Sequence, residues 1–422
     1  MSVILNKKEL GTNELRKDAL EILEAGLEAI NTEKILREKV RVENGVLYIK
    51  NENGETKAEL PSPNLGEGLE GEVYFIGIGK CALEGAKVIE DILGNYLTKG
   101  AVIDVKPTAD AQALVGRSKI EYFQGTHPYP SEQNVEATRK ILEMTKGLTK
   151  NDLVITLISG GGSALFELPI VGVELETIIE RTAELTARGA DIYELNTLRK
   201  KLSQVKGGKF AEHCAPAQMV SLIFSDVLGN DIATIASGPT VLGPLPNPSP
   251  KGRGEGVGPT NILLVSNHDA LLAMKSKAQD LGYNTSIETE ELSGNASEIG
   301  NELATKKIKA KSCLRFGGES TVKISNDHGQ GGRNQELVLS ALLNIKPNQI
   351  ILSCASDGWD NSEHAGALVD LELLKNSEDL EINPEVFLKA NDSYNFFNIV
   401  GGAISTGKLG SNVSDLCIIL YK

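Results

Sequence analysis

LVITLISGGGSALFELP, residues 153–169, decides the fold. Its first six residues, Leu153 to Ile158, are aliphatic or β-branched without a break. A continuous apolar run of that length is the signature of a strand covered on both faces, and such strands belong to parallel sheets. The run enters Ser159-Gly160-Gly161-Gly162-Ser163 directly. Glycines in succession cost conformational entropy on folding, so something must approach this backbone closely. Successive free N–H groups at a strand end form a concave nest for phosphate or carboxylate. A Cβ would block the approach, and at least one position is expected to need φ > 0. Two other phosphate or nucleophile loops are ruled out by the residues themselves. The chain has no GxxxxGK[ST] phosphate loop, and Gly161-Gly162-Ser163-Ala164-Leu165 lacks the second glycine of a nucleophile elbow.

Outward from this stretch the same alternation recurs. VYFIGIG (73–79), AVIDV (101–105), DLVITLIS (152–159) and MVSLIFSD (219–226) read as strands. CALEGAKVIEDIL, SEQNVEATRKILEMTKG and ELETIIERTAELTARG read as the amphipathic helices between them. Residues 11–31 add a further amphipathic helix through Leu15, Leu20, Leu23, Leu27 and Ile30, before a hairpin-like VLYIK. PLPNPSPKGRGEGVGPT (244–260) is Pro/Gly-rich, lacks periodicity and reads as a linker. A second set opens at NILLVSN, runs through the helix DALLAMKSKAQDLG, and gives strands CLRF, VKIS, QIILSCASD and LCIILY. The expected architecture is α/β with two α/β domains. Residues 1–243 form a larger Rossmann-like parallel-sheet domain, 244–260 a linker and 261–422 a C-terminal α/β domain, with the site in the cleft between them.

Composition sets the limits. The 422 residues are 41% hydrophobic and 24% charged, as expected of a folded globular chain, and carry a net charge of −14. That charge argues against nucleic acid as a partner, and an anionic substrate would need locally placed cations. The N-terminus has no apolar leader segment and no run of about 18 apolar residues occurs, so neither a membrane nor export is expected. Five scattered cysteines without a CxxC pair make a disulfide framework or a structural zinc site unexpected. The reading is a cytoplasmic protein.

Several other loops follow strands, where open α/β sheets bind ligands. Gly77-Ile78-Gly79-Lys80-Cys81-Ala82 fits the GxGxxA dinucleotide pattern, with Asp104 where a ribose-binding acid belongs. Lys80 inside that turn instead adds a point charge to a helix N-terminus and suits a phosphoryl group. In NTLRKKLSQVKGG (196–208), Arg199, Lys200, Lys201 and Lys206 crowd beside two glycines. Ser225-Asp226 ends a strand, with Asp231 five residues on; both are candidate magnesium ligands, and Asp226 is also a candidate base. In the second half, Gly331-Gly332-Arg333-Asn334-Gln335-Glu336 puts an arginine at a helix N-terminus, a poor place for a cation unless an anion compensates it. Asp357 and Asp360 follow another strand in SDGWDN. The five histidines offer only weak candidates for a hydride-transfer enzyme.

Taken together, GIGKCALEGAKV, GTHPYPSEQN, LISGGGSALFELP, NTLRKKLSQVKGG, IFSDVLGNDIATIASGPT, SNHDAL, FGGESTV, GQGGRNQEL, SDGWDN, ANDSYNFF and SDLCIIL resemble the glycerate 2-kinase family, the MOFRL-type kinases, in order and over nearly the whole chain. The resemblance implies a smaller mixed-sheet MOFRL domain after the Rossmann-like one. It also implies ATP- and Mg²⁺-dependent phosphorylation of the C2 hydroxyl of D-glycerate. Lys80, Arg333 and Asp226 are then the catalytic candidates. Gly79, Ser159, Gly160, Gly161, Gly162, Ser163, Lys206, Asn334, Glu336 and Asp357 are the substrate- or ATP-binding ones, and a homodimer is the candidate assembly. Three departures from the family stand out: Lys201 replaces its usual histidine, Ser131 replaces the aspartate of HPxPD, and the stretch from SGPT to SNHDAL is short. The competing readings are an NAD(P)-dependent oxidoreductase of hydroxypyruvate or tartrate type, and a non-catalytic sugar-acid binder.

Overall fold

A computed structural model describes residues 2–61, 71–105, 118–190, 192–243 and 258–422. The chain divides into two compact units, one of Thr32–Val265 and one of Met1–Asn31 with Ser266–Lys422.

The first unit is built on a six-stranded parallel sheet. Its spatial order is Ile120–Gln124, Leu97–Asp104, Val73–Ile78, Leu153–Ile158, Gln218–Phe224 and Thr260–Val265. Val73–Ile78 and Leu153–Ile158 are buried along their whole length, as continuous apolar runs require. The chain starts at the third position, moves out to one edge, then returns and fills the other side. This is the doubly wound order, and its direction reverses between Val73–Ile78 and Leu153–Ile158. A meander of Val40–Glu43, Val46–Asn51 and Gly54–Glu59 forms a separate small sheet, where sequence alone suggested one short hairpin.

The second unit carries a mixed sheet ordered Asn284–Asn295, Ser312–Thr321, Asp415–Tyr421, Gln349–Ala355, Gly366–Val369 and Ala403–Ile404. Only the first pair is parallel. The N-terminal helix Glu14–Ala29 belongs here. Asn13 caps it by accepting from the Arg16 N–H at 2.9 Å, and Leu20, Leu23 and Leu27 are buried. Arg16 forks onto Asp370 at 2.7 and 2.6 Å in a buried pair. Close packing fixes the helix against Asn267–Asp280, where a Cβ on Gly26 would come within 2.7 Å of Met274.

Three details differ from the linear division of the chain. Residues 1–31 pack with the C-terminal unit instead of with the 1–243 segment. NILLVSN does not open the second unit: Thr260–Val265 pairs in parallel with Gln218–Phe224 and completes the first sheet. VKIS is not a strand, because the pairing that supports Ser312–Thr321 ends at Thr321. Of the expected linker, residues 244–257 lie outside the described residues. No described helix is long and apolar enough to cross a membrane.

Candidate functional site

In an open parallel sheet, ligands sit beyond the carboxyl ends of the strands where the strand order reverses. Ile78, Ile158 and Ile223 lie side by side across three neighbouring strands. Their following loops therefore leave one sheet edge about 5 Å apart. They carry Gly79 and Lys80, Ser159 to Ser163, and Ser225 and Asp226 respectively.

The first two loops interlock. The Lys80 N–H donates to the Gly160 carbonyl at 2.9 Å. Ser159 is fully buried, its hydroxyl lying 3.4 Å from both the Cys81 N–H and the Ile78 carbonyl. Gly79 has φ +119°, and a Cβ there would meet the Ser159 hydroxyl at 2.2 Å. Gly161 has φ +83°, as the three-glycine loop required. A Cβ on it would lie 3.1 Å from the Lys80 stem and 3.2 Å from the His127 ring. The amide N–H groups of Gly160 and Gly161 have no acceptor among the described residues. Gly161 and Ser163 are partly open to solvent, whereas Ser159, Gly160 and Gly162 are buried. The loop is thus a small nest with Lys80 lying over it. Ser159 holds the loops together instead of facing a ligand.

Other residues that hold this edge were not singled out from sequence. Buried Asn134 accepts from the Thr126 N–H at 2.9 Å and donates to the Thr126 and Ala164 carbonyls at 2.9 and 2.8 Å. It ties the loop carrying His127 to the short helix Gly162–Leu165. Ser163 shares a 2.9 Å hydrogen bond with Ser237, whose hydroxyl donates to buried Asn196 at 2.8 Å. Ala236 and Ser237 both have positive φ, 51° and 61°. Side chains rarely adopt that conformation, and each instance costs on the order of 1–3 kcal/mol. The Gly207 and Gly208 N–H groups hold the segment by donating to the Ser237 and Gly238 carbonyls at 3.0 and 2.8 Å. The sequence signal for this strain was IASGPT itself, a β-branched residue and two small ones ahead of Gly-Pro.

Three expectations are corrected here. Lys206 offers no ammonium to a ligand. It is fully buried, donating to Glu167 at 2.5 Å and to the Phe166 carbonyl at 3.0 Å, and burial pulls its pKa down. Asp104 does not occupy a ribose position. It accepts from the Leu83 N–H at 3.1 Å at the start of helix Ala82–Leu93 and from Val105 at 2.6 Å, and burial pushes its carboxyl up to about 8. Asp231 shapes its own turn, accepting from the Ala233 N–H at 3.0 Å and the Thr234 hydroxyl at 2.8 Å. No cluster of three or more metal-ligating side chains occurs among the described residues. The Cys81 thiol beside Lys80 is buried and pushed up to about 12, which removes it as a nucleophile.

In the other unit, the compensating anions at Arg333 come from the protein. Arg333 forks onto Asp415 at 2.5 and 3.0 Å and reaches Glu319 at 3.1 Å. Burial works against its charge, yet the Asp415 and Glu319 carboxylates outweigh it and hold the guanidinium more firmly protonated than usual. Asp360 caps the same helix, Arg333–Leu342. It accepts from Asn334 N–H and Nδ2 at 3.1 Å each, and from Gln335 N–H and Nε2 at 2.9 and 3.1 Å. Burial, reinforced by the Asp415 charge, raises the Asp360 carboxyl to about 6. Asn334 is almost fully buried, its oxygen accepting from Ser353 at 2.5 Å, so it is part of the scaffold. Glu336 is buried and accepts from Asn391 at 2.9 Å, with burial raising its pKa. Asp357 receives the Trp359 N–H at 3.0 Å.

Comparison with known proteins adds to this geometry. Residues 18–247 match a domain of unknown function, DUF4147, and residues 312–415 match the MOFRL family. D-glycerate 2-kinase of Thermotoga maritima is 34% identical over 441 aligned residues, covering 96% of this chain and 98% of that protein. A putative hydroxypyruvate reductase of Agrobacterium vitis is 35% identical, covering 85% of this chain and 89% of the other. The crystal structure of glycerate kinase from Thermotoga maritima superposes with a TM-score of 0.75 at 33% identity, over 96% of this chain and 99% of that one.

Proposed function

The chain belongs to the glycerate kinase family that joins a DUF4147 domain to a MOFRL domain, and from that premise we infer that it is a glycerate 2-kinase. It transfers a phosphoryl group from ATP to the C2 hydroxyl of D-glycerate and yields 2-phosphoglycerate and ADP. The observation that supports this reading best is the switch-point nest, with two amides that have no acceptor among the described residues and Lys80 over Gly161. Phosphoryl transfer asks a protein mainly for positioning and for charge placed where the equatorial oxygens develop it. The Gly160 and Gly161 amides hold an anionic oxygen there, and Lys80 opposes the charge of the transferring group. The C2 oxygen attacks phosphorus, the bond to ADP breaks, and the hydroxyl proton passes to Asp226 on the adjacent loop.

Mg²⁺ in such sites takes one or two carboxylates, with substrate phosphates and water completing its shell. Asp226 has the chemistry of that donor set, as an alternative to its role as the base, and the absence of a larger carboxylate cluster among the described residues is compatible with it. Bound there, the ion would supply neutralisation of the β- and γ-phosphate charge. Arg333, in the C-terminal unit, can meet an anion only by exchanging its contact with half-exposed Glu319 while Asp415 retains it.

The oxidoreductase reading loses its main support with Asp104 turned onto a helix cap. The test is direct: ADP should form only when ATP, Mg²⁺ and D-glycerate are all present. NAD(P)H should not be consumed with hydroxypyruvate. Hydroxypyruvate-dependent NAD(P)H oxidation without ADP formation would replace the kinase by the reductase.

A further inference from the structure

The helix Ile192–Leu202 ends in a run of three cations, Arg199, Lys200 and Lys201. Asn196, Arg199 and Lys200 share one face, because residues three and four apart are neighbours on a helix. Asn196 is buried and bound through Ser237 to Ser163 of the nest. Lys200 packs its stem where a Cβ on Gly207 would sit, 3.2 Å away, and the Gly207 N–H donates to Ser237. Both contacts lead to the nest through Ser237, whose hydroxyl bonds Ser163.

Four cations gather here. Lys206 is paired with Glu167, and Lys209 donates to the Lys200 and Ser203 carbonyls at 2.7 and 2.5 Å. Arg199 and Lys200 are only partly exposed, yet neither side chain has a hydrogen-bond acceptor among the described residues. Glu167 acts on Arg199, but it is also the ion-pair partner of Lys206 and acts on Lys209, to which Glu212 contributes as well. Like charges brought together in a partly desolvated place repel unless an anion joins them. In a chain of net charge −14, leaving such a cluster uncompensated is unexpected.

We propose that Arg199, supported by Lys200, binds an oxyanion of a substrate held at the Gly160–Ser163 nest. The inference rests on the kinase reading and assigns to Arg199 the role that sequence had given to Lys206. A guanidinium suits it, since its planar fork meets a carboxylate or a phosphate with two parallel hydrogen bonds. The glycerate carboxylate and the ATP phosphates offer the same chemistry, and the experiment separates them.

Arg199→Gln and Lys201→Gln are compared with wild type. Both remove one charge from the same helix, but Lys201 is exposed and serves as the control. KM is measured for glycerate and for ATP, the affinity for pyrophosphate by calorimetry, and folding by thermal melting; Arg199→Lys replaces the glutamine variant if the latter melts early. Arg199→Gln should raise one KM about tenfold or more, as loss of a charged hydrogen bond requires. A change in KM for glycerate assigns the carboxylate, and a change in KM for ATP together with weaker pyrophosphate binding assigns a phosphate. Lys201→Gln should stay within about twofold. Unchanged KM values for both substrates in folded, active Arg199→Gln would overturn the inference, as would a fall in kcat alone. If wild type shows no glycerate-dependent turnover, the kinase reading fails separately. Pyrophosphate affinity then decides the anion site by itself, and equal affinity in wild type and Arg199→Gln rejects it.

Discussion

At the reversal point of the parallel sheet, Gly160 and Gly161 leave two amides without acceptors among the described residues, and a lysine stem lies over the second glycine. At the start of helix Arg333–Leu342 the local sequence looks alike: glycines, a cation and the first turn of a helix. There the Asn334 and Gln335 amides are already occupied by Asp360, and the guanidinium is latched by Asp415 and Glu319. One region presents backbone amides with no acceptor among the described residues. The other is a charged network closed on itself, which can meet a ligand only by exchanging one of its own carboxylates. The difference lies in residues 26 and 82 positions away, which no local motif reveals.

If the comparison holds, the largest effect should come from a residue that touches neither ligand. Lys206→Met would take from buried Glu167 its hydrogen-bonded ion-pair partner, and breaking a buried pair costs about 3–5 kcal/mol. Urea unfolding should show that loss, and adding Glu167→Leu should recover most of it. A stable Lys206→Met protein with a failed glycerate KM would return Lys206 to the site.

Gly161→Val comes next. At φ +83° and with Lys80 and His127 both within about 3 Å of the new Cβ, it should lower kcat/KM about a hundredfold. Ser163→Ala removes one hydroxyl contact and should cost no more than about tenfold. Steady-state kinetics beside a melting curve separates lost binding from lost folding. A well-folded Gly161→Val enzyme with normal KM for ATP and glycerate would erase the distinction between the two regions.

Arg333→Lys sharpens the other half. The ammonium keeps the charge but loses the fork that spans Asp415 and Glu319. We expect about a tenfold drop in kcat/KM, and wild-type kinetics would leave Arg333 as scaffold alone.

A further prediction concerns pH. The folded pKa of Asp104, about 8, lies above its ordinary value because the carboxyl is buried. The folded state therefore holds a proton that the unfolded state releases, and this stabilisation fades as pH rises from about 4 to 8. Asp104→Asn lacks that titration. Its melting temperature should improve relative to wild type across the window and level off above about pH 8. A difference independent of pH would contradict the burial argument.

Much of the fold was legible because it rests on periodicity. The continuous apolar strands and the amphipathic helices between them announced a parallel sheet, and the glycine run announced a positive φ. The assignment of 1–31 was not legible, since an amphipathic helix shows that it packs but not against what. Thr260–Val265 misled for a similar reason: a strand after a Pro/Gly-rich stretch looks like a new beginning, yet it closes the earlier sheet. Among candidate site residues, Lys80 and Gly161 stood out through local chemistry. Lys206 and Arg199 are both cations in one basic run, and only burial tells the paired one from the unpaired one.

Phosphoryl transfer to the C2 hydroxyl at the switch-point loops can be read by incubation with ATP, Mg²⁺ and D-glycerate, coupled to enolase without phosphoglycerate mutase. Phosphoenolpyruvate should form immediately, at a rate that falls with Gly161→Val. Phosphoenolpyruvate that forms only after mutase is added would mean that the C3 hydroxyl is the acceptor, and would contradict it.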